Sequence, residues 1–359
     1  MKIAIIHDYL VSYGGAEKVF KALADMYPDA EIYTLFYDPK IKKQFFPTRI
    51  VHTSFLQKFP LFLRKRYQLL LPLLPIAAET LDFREFDVVI SATHSWAKGI
   101  ITRPKTTHIC YCYSPTRYLW DKARRNFLLQ YFRVWDRQAS ERVDHFIAVS
   151  KTVQQRIKKY YKRNSIVIYP PVEMPNAKIQ IVPNQIQNSK FPKEFYLIVS
   201  QLRKYKRIDL AVEAFNKLGL ELVIIGTGPE RLNLERIAKK NIKFLGWKSD
   251  EVVAEYYKNC TAFIFSSEDD FGIAPVEAMS YGKPVLAYRR GGATETIIEG
   301  KTGEFFDYQN PAVLADGIRR LRQNLSNYDP KFISKHSQKF SQERFKKEFK
   351  NFIDNLSTM

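Results

Sequence analysis

The sequence has few cysteines. Three cysteines in 359 residues are too few for a disulfide framework. Cys110 and Cys112 lie two positions apart, so on a strand they would point to opposite faces, which argues against a shared metal. The opening MKIAIIHDYL lacks the longer apolar stretch and small-residue cleavage site of a secretory signal, so we expect a cytoplasmic protein. No repeat of solenoid length is present, which argues against a repeat architecture.

Acidic residues are also under-represented. Lys and Arg number 57 against 37 Asp and Glu, and the net charge of +20 should attract anionic lipid, nucleic acid or phosphorylated ligands. Residues 57–78, QKFPLFLRKRYQLLLPLLPIAA, mix basic and apolar side chains but are too interrupted by Pro72 and Pro75 to span a bilayer. This segment can lie in the headgroup region of a membrane or form an ordinary basic helix packed on the core, and the sequence leaves both open.

The chain alternates β-rich runs with helical stretches through both of its halves. With 45% apolar residues it can bury two cores, and the alternation predicts an α/β fold with two mostly parallel sheets. Residues 170–192 interrupt the alternation with prolines and asparagines. We predict an N-terminal domain 1–172, a linker 173–192, a second domain 193–335, and a C-terminal helix 336–359 that packs back toward the N-terminal domain.

The most informative stretch is 263–299, FIFSSEDDFGIAPVEAMSYGKPVLAYRRGGATETIIE. It predicts a buried strand, an acidic loop and a helix beginning near Pro275. At the carboxyl ends of parallel strands, helix N-termini offer free amides to anions, so a phosphate site is expected here. A carboxylate such as Glu277 can accept bonds from both ribose hydroxyls, while Asp269 can face a sugar. An isolated pair of this kind would indicate only a solvated loop and a helix cap.

The residues DDFGIAPVE, from Asp269 to Glu277, resemble the signature of the retaining GT-B glycosyltransferases of family 4, in which two carboxylates bracket a glycine-containing turn. The resemblance implies two Rossmann-like domains with parallel sheets that face each other across a cleft. It also implies that Phe271, Gly272 and Ile273 contact the donor. Asp269 stands where the family commonly has the longer Glu.

Residues 200–209, SQLRKYKRID, resemble the loop whose basic residues hold the donor pyrophosphate in this family. Lys206 matches the family lysine by its spacing from Asp209. Gln201 stands where many members carry an arginine, so Arg203 and Arg207 are candidates to replace it. Positive charge is needed because the diphosphate gains charge as its bond to the sugar breaks. Without the resemblance, such a loop would indicate only a solvated turn.

Three features of the first half resemble ligand-facing positions of the family. Gly14 and Gly15, in YGGAE, allow the backbone to approach a ligand at a helix start, and in the family this loop faces the donor phosphate or the acceptor. His94 resembles the histidine that reaches toward the donor sugar. Arg117 is a candidate for contact with an acceptor phosphate. Each taken alone would more often be structural.

The remaining motifs concern the nucleotide and a possible metal. Gly246 and Trp247 fall where the family holds the nucleobase through backbone groups, and GGATE from Gly291 resembles the segment lining the far side of the donor site. The GTGPE run begins like a dinucleotide fingerprint, but Arg231 replaces its last glycine, which indicates a turn near the nucleotide. The resemblance implies that basic residues and helix dipoles replace a cation, so we expect no essential metal and no cofactor besides the donor.

Together these features predict a retaining hexosyltransferase with the donor on the second domain and the acceptor on the first. Lys206 and the amides near Gly272 would stabilise the diphosphate, and Glu277 would hold the ribose. Asp269 and His94 would orient the sugar. The pattern most resembles members that use GDP-mannose to build lipid-linked or surface polysaccharide, peripherally at the inner face of the cytoplasmic membrane.

Three alternatives stay open at this point. The donor could be a UDP- or dTDP-sugar instead of GDP-mannose. A UDP-sugar epimerase of the same fold would turn over the donor without an acceptor. A non-enzymatic polyanion-binding protein would use the +20 charge, but a nucleic-acid partner is disfavoured because carboxylates in the cleft would not serve it.

Overall fold

The structure is a computed structural model that describes residues 1–12, 14–121, 127–175 and 191–357. Tyr13 of the glycine loop and most of the predicted linker 173–192 lie outside these residues. The chain divides into two compact units: unit 1 is Met1–Pro170 with Glu348–Met359, and unit 2 is Pro171–Lys347. No helix in the described ranges is long and apolar enough to cross a bilayer.

Unit 1 contains a parallel sheet with seven strands among its described residues, in the order β3-β2-β1-β4-β5-β6-β7. The central strands are buried on both faces and read as continuous apolar runs, as expected for parallel sheets covered by helices. The strands are β1 Ile3–His7, β2 Glu31–Thr34, β3 Val51–Thr53, β4 Val88–Thr93, β5 Thr107–Cys112, β6 His145–Ala148 and β7 Ser165–Val167.

Two helices of unit 1, α2 and α7, begin at capping side chains. The Asp38 side chain accepts from the Lys40 amide, and the Ser150 hydroxyl accepts from the Val153 amide. The α-helices are α1 Gly15–Met26, α2 Pro39–Phe45, α3 Leu61–Lys65, α4 Leu74–Glu79, α5 Arg117–Trp120, α6 Phe127–Glu141 and α7 Lys151–Tyr161, and 3-10 turns cover Phe55–Lys58, Tyr67–Leu73 and Ala97–Gly99.

The segment 57–78 packs part of its apolar surface on the core, as the second alternative expected, but it is not one continuous helix. It consists of short 3-10 and α-helical pieces: Pro60 precedes α3, Pro72 lies inside the second 3-10 turn, and Pro75 lies in the first turn of α4. Leu70 and Leu74 are buried in the unit 1 core, whereas other apolar side chains of the same segment stay exposed.

Unit 2 repeats the architecture with six strands among its described residues, in the order β10-β9-β8-β11-β12-β13, all paired in parallel. Helices run through residues 208–218 and 250–259, in agreement with the alternation of strands and helices that the sequence predicts. The strands are β8 Tyr196–Val199, β9 Leu222–Ile225, β10 Ile242–Gly246, β11 Ala262–Phe265, β12 Val285–Tyr288 and β13 Gly303–Phe306.

Helices cover the sheet of unit 2, and the last one continues into unit 1. The α-helices are α8 Ile208–Leu218, α9 Arg231–Ile237, α10 Asp250–Asn259, α11 Ile273–Ser280, α12 Ala293–Thr296, α13 Pro311–Gln323, α14 Pro330–Ser337 and α15 Gln342–Ser357, with 3-10 turns at Lys204–Lys206, Leu325–Asn327 and Gln338–Phe340. Within unit 1, Phe349 of α15 lies 6.1 Å from the Tyr111 ring, centroid to centroid.

Each sheet has a switch point, where the strand order reverses. It lies between β1 and β4 in unit 1 and between β8 and β11 in unit 2. Parallel α/β sheets bind ligands at the carboxyl ends of the strands beside such a point. The loops that start at Asp8 and His94 flank the first switch point, and those that carry Lys206 and Asp269 flank the second.

A buried ion pair supports two loops of unit 1, those after β4 and β5. The Lys98 ammonium lies 2.5 Å from an Asp136 carboxylate oxygen, and both side chains are almost fully buried. The Asp136 carboxylate also accepts from the hydroxyls of Thr116 and Tyr161 and from the Trp120 indole nitrogen. The pair therefore ties the loops after β4 and β5 to helix α6.

We expect Asp136→Ala to destabilise unit 1 by about 3–5 kcal/mol, because it leaves the Lys98 charge buried without its carboxylate. Denaturant unfolding followed by tryptophan fluorescence measures this, since Trp96, Trp120 and Trp135 lie in unit 1. The control Asp25→Ala removes a solvent-exposed partner of Lys21 and should change stability little. Equal losses in the two variants would contradict the assignment.

Candidate functional site

Two loops of opposite charge meet at the switch point of unit 2. The 3-10 turn Lys204–Lys206 follows β8, and the acidic loop 268–270 follows β11. The Lys206 ammonium lies 2.5 Å from an Asp269 carboxylate oxygen, with the side chains only 16% and 18% exposed. Two residues predicted as catalytic are thus in direct contact.

Hydrogen bonds fix the main chain around Lys206, in addition to the ion pair that fixes its side chain. The Ser266 hydroxyl donates to the Lys206 carbonyl at 3.0 Å. Arg207 has a left-handed backbone, with φ of 51°, and its guanidinium bonds Asp209 and Gln309. The Gln309 amide in turn donates to the Ser266 carbonyl at 3.2 Å. Strained non-glycine residues persist only where their surroundings hold them, and these bonds supply that support.

The glycine pair after β12 packs directly against the acidic loop. A Cβ on Gly291 would lie 2.2 Å from the Asp269 carbonyl oxygen, and one on Gly292 would lie 2.3 Å from the Phe271 Cα. The Gly292 amide donates to the Asp269 carbonyl at 2.9 Å. Only glycine permits this approach, so the GG pair holds the main chain that carries Asp269.

Helix α11 begins directly after this loop. Gly272 caps it with φ of 86°, Phe271 is buried, and Ile273 is the first helical residue and partly exposed. A free helix start at the carboxyl edge of the sheet has unpaired amides that suit an anion. The predicted donor contacts Phe271, Gly272 and Ile273 therefore share one turn at the switch point.

Glu277 lies on α11 and is held by a buried tyrosine. The Tyr257 hydroxyl of α10 donates to a Glu277 carboxylate oxygen at 2.9 Å. Burial, with Glu277 nearby, raises the pKa of Tyr257 well above its usual value, so the phenol keeps its proton. Tyr257 is thus a permanent donor to Glu277, a partner that sequence reasoning did not identify.

The loops after β9 and β10 complete this edge of unit 2. Gly226 and Gly228 pass against the main chain of the loop after β8, where a Cβ would lie 1.9 Å from the Ser200 oxygen and 2.3 Å from the Leu202 oxygen. The GTGPE run is therefore a turn that supports the Lys206 loop. Gly246 has φ of 71°, and Trp247 beside it is 61% exposed.

The other predicted basic residues of unit 2 have protein partners. The Arg203 guanidinium donates to the Gln201 side chain at 3.1 Å and is exposed. Arg231 stands where the dinucleotide fingerprint has its last glycine. One of its guanidinium nitrogens lies 3.0 Å from the position that a Cβ on Gly246 would take. An arginine therefore borders the predicted nucleobase position.

Unit 1 places Gly14 and Gly15 after β1, beside its switch point, and Arg117 after β5, one strand further along the sheet. Gly14 caps helix α1 in an extended conformation, and Gly15 is the first helical residue. Glu17 occupies the first turn, is buried, and accepts from the Ser12 hydroxyl at 3.1 Å. Arg117 pairs with Asp121 in helix α5.

His94 follows β4, with its side chain 37% exposed. Its Nδ1 lies 3.1 Å from an Asp8 carboxylate oxygen, and its Nε2 lies 3.1 Å from the Tyr9 hydroxyl. Sequence analysis identified His94 but neither partner. The HDY run at the end of β1 could have indicated these partners, because its polar residues interrupt an apolar strand at the carboxyl edge of the sheet.

The described residues contain no group of three or more His, Cys, Asp or Glu side chains that could hold a metal ion. The acidic run 268–270 therefore does not form such a group with neighbouring ligands. That no metal is needed stays a prediction.

The fold is that of the GT-B glycosyltransferases. The structure of Anabaena Alr3699/HepE in complex with UDP-glucose matches it with a TM-score of 0.72 at 18% identity, over 100% of both chains. At that identity the similarity concerns the fold alone. Models described as Glycosyl transferases group 1 and Glycosyltransferase Family 4 match residues 183–340 and 13–185. The chain belongs to this family of glycosyltransferases.

Curated relatives agree with this family membership. An uncharacterized glycosyltransferase of Methanocaldococcus jannaschii, MJ1178, is 29% identical over 54% of this chain and 53% of its own. The chain spans about half the length of several such relatives. The alpha-1,3/1,6-mannosyltransferase ALG2 of Dictyostelium discoideum is 25% identical over 100% of this chain and 97% of its own.

We expect Gly291→Ala to destabilise unit 2 clearly more than Gly300→Ala. Both glycines have positive φ, 63° and 71°, so both variants carry the cost of a left-handed alanine, about 1–2 kcal/mol. Only at Gly291 would the new methyl also displace the Asp269 carbonyl, since a Cβ on Gly300 meets nothing within 4 Å. Denaturant unfolding followed by circular dichroism compares them, and equal losses would contradict the packing role of Gly291.

Proposed function

We propose that this protein is a retaining hexosyltransferase that moves mannose from GDP-mannose to a lipid-linked or polysaccharide acceptor. The observation that carries the proposal is the ion pair of Lys206 and Asp269 beside the start of helix α11. We assign the donor to unit 2 and the acceptor to unit 1.

The charges at this edge suit a sugar diphosphate better than a free anion. An ammonium and unpaired helix amides stabilise the diphosphate as its bond to the sugar breaks. The Asp269 carboxylate, already within bonding distance of Lys206, can accept hydrogen bonds from the sugar when the phosphate takes its place on the ammonium. Glu277, held by Tyr257, is the proposed acceptor of the ribose hydroxyls.

In the proposed transfer the bond between the anomeric carbon and the β-phosphate oxygen breaks, and the acceptor oxygen bonds the same carbon on the same face. The acceptor proton passes to the departing phosphate oxygen, so charge and atoms balance. This course supplies retention without a covalent enzyme nucleophile. His94 is the group proposed to orient the sugar.

The identity of the sugar and of the nucleotide has less support than the reaction class. Mannose is favoured because the ALG2 relative that aligns with the whole chain is named a mannosyltransferase. The HepE structure is titled as a complex with UDP-glucose, which keeps a UDP-sugar as the second candidate. A panel of GDP-mannose, UDP-glucose, UDP-galactose and a dTDP-sugar, compared by calorimetric binding and release of nucleoside diphosphate, distinguishes them.

Variants at Lys206 and Glu277 test the assignment once a donor is found. We expect Lys206→Ala to lower turnover by about 100-fold or more, because the leaving group loses its cation. Glu277→Ala should abolish transfer and leave the fold intact. Lys204→Ala removes an exposed lysine from the same 3-10 turn and should behave as wild type. Near-normal turnover in Glu277→Ala would remove that residue from the site.

An epimerase is the second candidate function. It would convert a UDP-sugar to its epimer with no acceptor present, whereas a transferase forms a new glycoside and releases the diphosphate. Product analysis by NMR, with and without acceptor, separates the two reactions and also reports whether the anomeric configuration is retained.

We propose an anionic membrane surface as the partner that presents the acceptor. Three exposed apolar side chains, Phe62, Leu69 and Ile76, recur at seven-residue intervals, with exposures of 62%, 65% and 51%. Residues 39–78 contain no Asp or Glu. Exposed apolar side chains beside exposed cations suit the headgroup region of anionic lipid. Arg64 is buried and Lys65 pairs with Asp38, whereas the other exposed basic residues of this stretch are Lys40, Lys43, Lys58 and Arg66.

Co-sedimentation with phosphatidylcholine vesicles, with and without phosphatidylglycerol, tests this surface. Binding should require the anionic lipid and weaken with salt. The double variant Phe62→Ser with Leu69→Ser should weaken it by about tenfold or more, because two inserted side chains are lost. Leu232→Ser, at a 79% exposed leucine of unit 2, is the control and should bind as wild type. Unchanged binding of the double variant would contradict the proposal.

A further inference from the structure

Asp8 is a buried carboxylate at the switch point of unit 1 to which no role has been assigned above. It directly follows β1 and is fully buried. One of its oxygens accepts from the Thr93 hydroxyl at 2.7 Å and from the amides of Trp96 and Ala97, each at 2.8 Å. The other oxygen accepts from the His94 amide at 2.9 Å and lies 3.1 Å from its ring Nδ1.

These partners define the protonation state of Asp8. Burial raises the pKa of its carboxyl, but the neighbouring His94 and His7 and the hydrogen bonds lower it more, to about 2. Asp8 is therefore an ionised, acceptor-only group in neutral solution. A hydrogen bond between it and the His94 ring requires the hydrogen to be on Nδ1, which defines the tautomer of the neutral ring.

The other ring nitrogen of His94 faces a phenol. The Tyr9 hydroxyl lies 3.1 Å from Nε2, and burial, with Tyr67 and Asp8 nearby, raises the pKa of Tyr9 well above its usual value. Tyr9 is thus a neutral phenol, and with the ring hydrogen on Nδ1 its hydroxyl donates to Nε2. Its ring stacks on Phe36, with centroids 5.4 Å apart, so its position is fixed by the core. Both His94 nitrogens are held by consecutive residues of one loop.

We propose that Asp8 is a positioning residue that holds His94 in the Nδ1–H tautomer and, with Tyr9 at Nε2, fixes the orientation of the ring. That the oriented ring serves the donor sugar rests on the proposed function. The same carboxylate binds three amides of the loop that carries His94, so ring orientation and loop conformation depend on one charge. This arrangement orients the imidazole without placing Asp8 on the substrate.

A purely structural role for Asp8 is the competing explanation. The amide bonds to Trp96 and Ala97 would serve the loop whatever the state of the ring. The two explanations differ in what they require of His94. Only positioning requires one tautomer of the ring and a loss of turnover that depends on the presence of His94.

The first experiment reads the tautomer directly and needs no donor. The chain has six histidines, so ¹⁵N-histidine-labelled protein gives few ring signals, and the spectrum of His94→Gln assigns the one of interest. We expect wild-type His94 to carry its hydrogen on Nδ1. In Asp8→Asn the side-chain amide can donate to Nδ1, so the Nε2–H form should appear. Wild-type protein with His94 in the Nε2–H form would overturn the proposal, even if Asp8→Asn fails to fold.

The control for this spectrum is Thr93→Val, which removes one bond to Asp8 but leaves the His94 contact in place. We expect this variant to keep the Nδ1–H form. A change of tautomer in Thr93→Val as large as that in Asp8→Asn would mean that general loosening of the loop, and not the carboxylate, controls the ring.

The second experiment is a double-mutant cycle on turnover with the donor that the wild-type protein uses. Asp8→Asn should lower kcat by about 10- to 100-fold with little change in KM for the donor. In the His94→Gln background the same change should have little further effect, because the group it positions is gone. Equal losses in both backgrounds would overturn the proposal. If no nucleotide sugar is turned over, the proposed function fails while the tautomer result stands.

Discussion

The structure depends on one constraint, the parallel pairing of strands in both sheets. Because every described pairing is parallel, all strands of a unit end at the same edge, and the loops that follow them come together there. This brings residues far apart in the chain within bonding distance. Lys206 and Asp269 meet although 63 positions separate them, and Asp8 and His94 meet although 86 positions separate them. In each unit, the candidate functional residues therefore lie at the edge where the strands of its own sheet end.

The loops at these edges are supported by main-chain contacts that only glycine allows. Gly226 and Gly228 let the loop after β9 lie against the loop with Lys206, and Gly291 and Gly292 do the same for the acidic loop. The charged side chains at these edges differ in their burial and in their role. The buried pair of Lys98 and Asp136 serves stability, whereas more accessible groups such as Lys206 remain near enough to the surface to meet a ligand.

Much of the fold follows from local pattern. The alternation of β-rich runs with helical stretches predicted two α/β series, and the structure contains them, with helices such as 208–218 and 250–259 between the strands. The segment 57–78 was harder to interpret because its apolar content suits a helix while its prolines interrupt one. The candidate residues were identified through a family resemblance, but their partners Tyr257 and Asp8 were not. Tyr257 belongs to no motif and Asp8 lies in the HDY run at the end of β1, but each acts through a contact with a distant element.

The sequence by itself determined the order of strands and helices, the two-sheet architecture and the glycine and acidic motifs at the carboxyl ends of strands, because these depend on periodicity and on short-range backbone preference. Only the tertiary structure decided which cation meets Asp269, which phenol holds Glu277 and which nitrogen of His94 faces away from Asp8. Each of those pairings joins different parts of the chain within one unit. Its geometry depends on how the strands of that unit pair and on how deeply each group is buried.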